Sequence, residues 1–254
     1  LRAPCPAVVT IHDLSFEHDS ELMRWRDRWV FRRVVPRAAR RARRVLTVSE
    51  RTRRDLVERY GLADDRIVVT PNGVDPAFHP GSREEESNSL LQAPYALAVG
   101  AIQPRKNQLA ALQAATEAGL SLVVVGPVRD SALAAELEAG GALLEGYVET
   151  ERLAELYRGA ACLVQSSRHE GFGLPVVEAM ACGTPVVIVP DPALLEVAGG
   201  AAVVVEEEGL ADGIRRAVAE RDRLRAAGLV RAGELSWERL AADTVRVYVE
   251  ALDR

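Results

Sequence analysis

The sequence predicts an α/β protein in two parts: a complete Rossmann-like domain in its longer C-terminal part, preceded by the latter part of a second Rossmann-like domain. Three observations predict this. After residue 95, apolar runs of four to six residues alternate with helix-length stretches, the pattern of a parallel sheet covered on both faces by its crossover helices. Before residue 81 there is a shorter series of the same kind, with three strand-like runs. Between the two, residues 81–94 (Gly-Ser-Arg-Glu-Glu-Glu-Ser-Asn-Ser, then Leu-Leu-Gln-Ala-Pro) form the only linker-like stretch. Right-handed crossovers make the complete part doubly wound.

The elements follow in order. Ala7–Ile11 reads as a buried strand that ends at His12-Asp13. Glu21–Arg44 has a long helical pattern interrupted by Pro36, which is expected to kink or split it. Val45–Val48 is a second strand. Ser49 then caps a helix that runs to Tyr60 and stops at Gly61. Arg66–Thr70 is a third strand, closed by the turn Pro71-Asn72-Gly73. Beyond the linker, strands are expected near 95–100, 121–126, 142–145, 162–166, 185–189 and 202–205. Helices are expected near 106–118, 130–139, 150–159, 174–182, 208–226 and 236–252. The division is thus 1–80 partial domain, 81–94 linker, 95–235 complete domain and 236–254 a final helix.

Composition narrows the class. With 48% hydrophobic and 27% charged residues and a mean hydropathy of −0.02, the chain has the balance of a soluble globular protein. No apolar run approaches the ~20 residues of a membrane span. Cys5, Cys162 and Cys182 are odd in number and far apart, which excludes a disulfide scaffold and points to a reducing, cytoplasmic setting. No Cys/His cluster has the spacing of a metal site. The chain opens Leu1-Arg2-Ala3-Pro4, without Met or a signal-peptide pattern, and reads as a fragment lacking its true start. Residues 1–75 carry 16 Arg and 11 acidic residues and the remainder 16 basic and 26 acidic, so the two parts face different surroundings. Lys106 is the one lysine beside 31 arginines.

In doubly wound sheets ligands bind beyond the carboxyl ends of the strands, so the loops after Val99, Val125, Val164 and Val187 are where chemistry is sought. Gly100 opens the first of these loops, and Arg105 and Lys106 stand in it at a helix N-terminus. The helix dipole disfavours cations there unless an anion such as a diphosphate bridges them; the plainer reading is a solvated loop. Ser167–Glu178 is the second constellation. Gly171 and Gly173 allow backbone N–H groups to approach a phosphate beside a helix N-terminus, and Pro175 stands near the first helical position. Glu170 and Glu178 would be ~12 Å apart on a straight helix at 1.5 Å per residue, about the span from a sugar, past a diphosphate, to a ribose. The plainer readings are a tight turn for the glycines and a capping carboxylate for Glu178.

Together these residues resemble a family. His-Glu-Gly-Phe-Gly-Leu-Pro-Val-Val-Glu-Ala-Met-Ala-Cys-Gly-Thr-Pro-Val-Val (169–187) is similar to the E-x7-E signature of the largest family of retaining glycosyltransferases with the GT-B fold, the group 1 glycosyl transferases. Pro104-Arg105-Lys106-Asn107 resembles its diphosphate-binding loop. Val9–Asp13, Thr47–Ser49, Pro71–Asp75 and Ser236-Trp237-Glu238 match further landmarks in order. Pro-Arg-Lys-Asn with Thr-Ile-His-Asp is most similar to the mannosyltransferase-like branch. The resemblance covers essentially 8–252, but the early strands and Gly-rich first loop of the acceptor domain are absent, and the stretch between Val189 and Glu196 is shorter than the family's usual loop.

The resemblance implies roles. Arg105 and Lys106 would hold and neutralise the donor diphosphate, with Gly100 beside them. Glu170 would contact the transferred sugar's hydroxyls, and Gly171, Phe172, Gly173 and Leu174 would line sugar and phosphate. Glu178 would accept from the ribose, Tyr147 and Val148 would border the base, and His12 would face the reaction from the acceptor side. The implied function is metal-independent, retaining transfer of a sugar, mannose-type favoured, from a GDP- or UDP-linked donor to a glycan or lipid-linked acceptor, with no separate cofactor. The rivals are a GT-B nucleotide-sugar epimerase and a nucleotide-sugar-binding module without turnover. Arg24–Arg44, with ten Arg, one acid and interspersed aromatics, fits peripheral contact with an anionic membrane; its alternative is a solvated face whose Arg stems cover the core. Nucleic acid is not expected as a partner, since that segment lacks an interleaved series of base-stacking aromatics beyond Trp25 and Trp29.

Overall fold

A computed structural model describes residues 5–18, 25–81 and 94–253. The first residues of the predicted Arg-rich helix (Glu21–Arg24) and nearly all of the predicted linker lie outside the described residues. The chain forms two compact units. One comprises residues 1–73, 170–172 and 236–254, the other 74–169 and 173–235.

In the first unit, β1 (Val8–Ile11) leads to a single helical turn, α1 (Ser15–His18), and then to α2 (Trp25–Arg41). β2 (Arg44–Thr47), α3 (Glu50–Tyr60) and β3 (Ile67–Val69) follow. The strands form a parallel sheet in the order β1-β2-β3. Ile11, Leu14, Phe16, Ala39, Val45, Leu56 and Ile67 form its core. Ser49 caps α3 by accepting from the Thr52 N–H at 3.2 Å, and Gly61 ends it in the left-handed region at φ 63°. Of the two expected effects of Pro36, a split does not occur: α2 runs through it. Pro36 is itself buried, and Val35 and Ala39 on either side of it pack into the core; tertiary packing, the main source of helix stability in proteins, holds the helix across the missing N–H.

The second unit alternates strand and helix as far as its last strand and then adds a pair of helices. Its elements are β4 (Tyr95–Val99), α4 (Gln108–Glu117), β5 (Ser121–Val125), α5 (Ser131–Ala139), β6 (Leu143–Gly146), α6 (Thr150–Gly159) and β7 (Cys162–Gln165). They continue with α7 (Leu174–Ala181), β8 (Val186–Ile188), α8 (Pro192–Ala198), β9 (Val203–Val204), α9 (Leu210–Ala219) and α10 (Arg221–Gly233). All six strands are parallel, in the order β6-β5-β4-β7-β8-β9. This is the Rossmann order, in which the winding reverses between the first and fourth strands, here β4 and β7.

Three features differ from the sequence expectation. The predicted helix 208–226 is two helices, α9 and α10, which meet at Glu220; α9 packs on α4 and α10 on α7, so one straight rod could not serve both. Residues 192–198 are helical rather than loop. Asp191 caps α8 by accepting from the Ala193 and Leu194 N–H groups, Pro192 starts it, and Gly199 closes it. Finally, the changeover between units falls at Gly73–Val74, earlier than the predicted linker. The Val74 N–H donates to the Leu235 carbonyl, and buried Phe78 stands edge-on to Tyr157 with ring centroids 5.8 Å apart.

The chain then returns to the first unit as α11 (Trp237–Leu252), whose N-cap Ser236 accepts from the Arg239 N–H. This helix packs beside β2, and Arg44 pairs with Glu250 at 3.4 Å.

Candidate functional site

β4 and β7 are adjacent and the chain leaves them toward opposite flanks of the sheet, so the loops 100–107 and 166–173 open at the switch point of the second unit. At the end of β4, Gly100 takes φ 141°, a conformation side chains disfavour. A Cβ there would lie 2.9 Å from Lys106 Cε and 3.1 Å from Nζ, so the Lys106 side chain runs along the Gly100 backbone. Pro104–Lys106 is one 3-10 turn. Asn107 follows at φ 53°, and α4 begins at Gln108. Arg105 and Lys106 therefore stand before α4, separated from it by Asn107, and the helix begins two residues later than the sequence suggests.

That turn is pinned from the β7 side. The Ser166 hydroxyl reaches the carbonyls of Lys106 (3.0 Å) and Asn107 (2.9 Å). The Arg168 N–H donates to the Arg105 carbonyl at 3.0 Å, and the Arg105 guanidinium donates to the His169 carbonyl. Gln108 Nε2 donates to the Ala101 carbonyl. Asn107 Nδ2 and Gln108 Oε1 are buried polar atoms without a hydrogen-bond partner among the described residues. The two motifs that the sequence shows far apart are thus one hydrogen-bonded assembly.

After β7, His169 and Glu170 are both buried. Glu170, Gly171 and Phe172 cluster with the first unit. Within that unit the Ser49 hydroxyl donates to the Gly171 carbonyl at 2.6 Å, and a Cβ at Gly171 would sit 2.8 Å from the His12 carbonyl oxygen, which leaves room for glycine alone. His12 is exposed at the end of β1, and its carbonyl accepts from Thr52. In the second unit Gly173 caps α7 at φ 102° and offers no side chain to its first turn. That turn carries Pro175 and no acid, so its unsatisfied N–H groups suit an anion. Leu174 is exposed beside it. Tyr147 is 75% exposed after β6, and Val148 is half-buried. Among the described residues no group of three or more His, Cys, Asp or Glu side chains gathers as metal ligands would.

Glu178 is the fifth residue of α7, while Glu170 lies in the loop before it, so the straight-helix distance does not apply to the pair. Glu178 is not a cap either. Its Oε2 accepts a 2.8 Å hydrogen bond from the Tyr157 hydroxyl. Burial pushes the Glu178 carboxyl above its ordinary value; the Tyr157 hydrogen bond opposes this and nearby Asp75 adds to it. Burial, then the charge of Glu178, raises the Tyr157 phenol well above its usual range. Tyr157 and Ser166 were not among the sequence candidates. A tyrosine at a core position signals that its hydroxyl needs a partner, but nothing local says which.

Comparison with known proteins fits this geometry. Residues 82–228 match the profile of the family described as glycosyl transferases group 1, and residues 1–78 match glycosyltransferase family 4. The chain is 31% identical over 271 residues to the O-antigen chain mannosyltransferase B of Escherichia coli, an alignment covering 95% of this chain and 70% of that protein. It is 36% identical over 228 residues to a D-inositol 3-phosphate glycosyltransferase of Geodermatophilus obscurus, covering 79% of this chain and 51%, about half, of that one. An MMP alpha-(1->4)-mannosyltransferase of Mycolicibacterium hassiacum is 30% identical, with 98% of this chain and 66% of that protein aligned. In fold the chain resembles Anabaena HepE, solved with UDP and glucose (TM-score 0.80, 19% identity, 96% and 71% coverage). It also resembles the sucrose-phosphate synthase of Thermosynechococcus elongatus (TM-score 0.79, 22% identity, 96% and 67% coverage). With its Rossmann unit spanned by that profile, and a relative of 31% identity covered over 70% of its length, the chain belongs to the glycosyl transferases group 1 family.

Proposed function

We propose that the protein takes part in metal-independent, retaining transfer of a mannose-type sugar from a nucleoside diphosphate donor to a glycan or lipid-linked acceptor. The observation that carries this reading is the assembly at the switch point: the Pro104–Lys106 turn, hydrogen-bonded to the β7 loop, beside a helix whose first turn has neither side-chain cap nor acid. Arg105, Lys106 and the N-terminus of α7 form a preorganised positive site for a diphosphate, and such a site acts most strongly as charge builds on the departing phosphate. Glu170 takes the sugar hydroxyls and Glu178 the ribose. Gly100, Gly171, Phe172, Gly173 and Leu174 shape the donor's surroundings, Tyr147 and Val148 border the base, and His12 belongs to the acceptor side. The acceptor attacks from the face the phosphate leaves, and the departing phosphate takes its proton.

The mannosyltransferase names of two relatives favour a mannose-type sugar, and the UDP-bound neighbour keeps uridine in contention. The Arg-rich α2 is assigned to peripheral docking on anionic lipid, supported by Trp29, Val30, Phe31 and Val34, all exposed on it, and by Arg33 stacked over Trp29 at 3.8 Å. No described helix is long and apolar enough to cross a membrane.

The test is a thermal-shift panel of GDP, UDP and ADP with and without their sugars, followed by a turnover assay with the donor that binds. Stabilisation by one nucleoside diphosphate and by its sugar, followed by transfer with retention, is expected. No stabilisation by any of them would overturn the donor reading. Binding without turnover by the full-length protein would reduce it to a binding module.

A further inference from the structure

A partly buried carboxylate has two oxygens and about four acceptor directions, so its environment decides which of them a ligand can reach. One oxygen of Glu178, Oε2, is already engaged by the Tyr157 hydroxyl at 2.8 Å. That hydroxyl has little freedom. The Tyr157 ring is fully buried, Phe78 meets it edge-on at an interplanar angle of 78°, and its carbonyl is tied to the Thr184 hydroxyl at 2.6 Å. The Glu178 carboxylate has no second hydrogen-bond partner among the described residues.

We propose that Tyr157 is a positioning residue for nucleotide binding: its buried hydroxyl holds Oε2 of Glu178, fixes the plane of the carboxylate, and leaves Oε1 to the ribose hydroxyls. The proposal rests on the reading of Glu178 as the ribose acceptor. It assigns to α6, which carries none of the residues recognised in the sequence, a part in donor binding through a side chain that no ligand touches.

The charged and titratable groups around Glu178 make the idea readable in pH. Tyr157 faces it from α6, Asp75 from the segment that follows Gly73, and Cys182 from the C-cap of α7, one turn on. Burial pushes the Cys182 thiol up to about 12, with Arg158 acting the other way and Glu178 adding to the rise, so this thiol is neutral at physiological pH. Burial and Asp75 oppose the charge on Glu178, and the Tyr157 hydrogen bond supports it. Without that hydroxyl, the carboxylate loses its orientation and takes up a proton at a higher pH.

The experiment is calorimetric titration of the wild-type chain, Tyr157→Phe and Glu178→Gln with GDP and UDP and with their 2′,3′-dideoxy counterparts, over a pH series that runs upward from the ordinary carboxyl value of 4.5. Thermal unfolding confirms that each variant is folded. Tyr157→Phe is expected to weaken ribonucleotide binding roughly tenfold, the loss of one hydrogen bond to a charged group. It should leave dideoxynucleotide binding unchanged and move the acid-side fall in ribonucleotide affinity to higher pH. Equal losses for ribo- and dideoxynucleotides would make Tyr157 a packing residue only and overturn the proposal. So would unchanged ribonucleotide affinity in Tyr157→Phe while Glu178→Gln loses it; that result leaves the ribose reading standing. If the wild type fails to distinguish ribose from dideoxyribose, or Glu178→Gln binds normally, the ribose reading itself is wrong and the proposal falls with it. Phe78→Leu loosens the ring but keeps the hydroxyl, and is expected to move affinity and pH profile in the same direction by less. If Tyr157→Phe does not fold, a Phe78→Leu variant unchanged in both respects refutes the proposal.

Discussion

Gly100→Ala is a way to disable Lys106 without altering it. The new Cβ would lie 2.9 Å from Lys106 Cε, 3.1 Å from Nζ and 3.4 Å from Cδ. Carbon atoms do not approach that closely, so the end of the lysine side chain must swing away. Moving a flexible side chain is cheap. The backbone is the larger stability term, because alanine at φ 141° carries strain of about 1–3 kcal/mol. At roughly 2–4 °C per kcal/mol for a chain of this size, the melting temperature should fall by roughly 2–12 °C while the fold persists. The functional effect should be far larger: displacing one preorganised donor from a leaving diphosphate lowers turnover roughly 10²–10³-fold. Gly126→Ala is the contrast. Its Cβ would lie 2.2 Å from the Gly100 carbonyl oxygen and 2.5 Å from its carbon, where only backbone could yield, so it should destabilise by about 3 kcal/mol or more. The deciding assay is a double-mutant cycle on turnover and donor affinity. If Gly100→Ala acts through Lys106, it adds nothing further in a Lys106→Ala background. Additive losses, or wild-type turnover in folded Gly100→Ala, would refute the reasoning.

Other expectations follow from the same geometry. Lys106→Ala should lose roughly 10²–10³-fold in turnover, and Arg105→Ala should also weaken donor binding while loosening the loop through its lost bond to the His169 carbonyl; steady-state kinetics and calorimetry check both. Glu178→Gln should weaken binding of a free nucleoside diphosphate, whereas Glu170→Gln should spare it and impair sugar transfer, so equal losses of nucleotide affinity would show the two roles to be misassigned. Because burial raises the Glu178 carboxyl in the folded chain above its ordinary 4.5, the folded state binds that proton more tightly than the unfolded one. Its stabilising contribution is full below about pH 4.5 and is lost as pH rises through the raised value; Glu178→Gln should remove that part of the pH slope in thermal unfolding. The exposed Trp29, Val30, Phe31 and Val34 with the Arg of α2 should bind anionic vesicles at low salt and release them at high salt, each Arg near the surface contributing about 1 kcal/mol; an intact full-length protein that ignores anionic vesicles would end that assignment.

Much of the molecule was legible because its signals are local. Short β-branched runs such as Leu122–Val125 and Val186–Ile188 identify strands, and Ser49 and Gly61 mark both ends of a helix by chemistry that acts within one turn. Asp191-Pro192 and Gly199 carry the same kind of signal for α8, but a helix of seven residues shows too little periodicity to stand out from a loop. Pro36 is the opposite case: its local penalty is real, but the core contacts that keep α2 unsplit across it are not local.

The α/β class, the places where strands end, and hence the loops in which Arg105, Lys106, Gly171 and Gly173 stand follow from the order of residues, because side-chain periodicity and backbone preference are properties of chain neighbours. Which loops meet depends on tertiary packing. Strand order set β4 against β7 and so joined the Ser166 hydroxyl to the turn at Lys106 and Asn107, 60 and 59 residues away in the chain. The pairing of Tyr157 with Glu178 across 21 residues, the transfer of 74–81 to the second unit, and the break at Glu220 between helices with different packing partners are of the same kind. Each is a choice of partner for a buried polar group or an apolar face, and the partner is selected by the surface that folding brings up to it, not by the residues beside it in the chain.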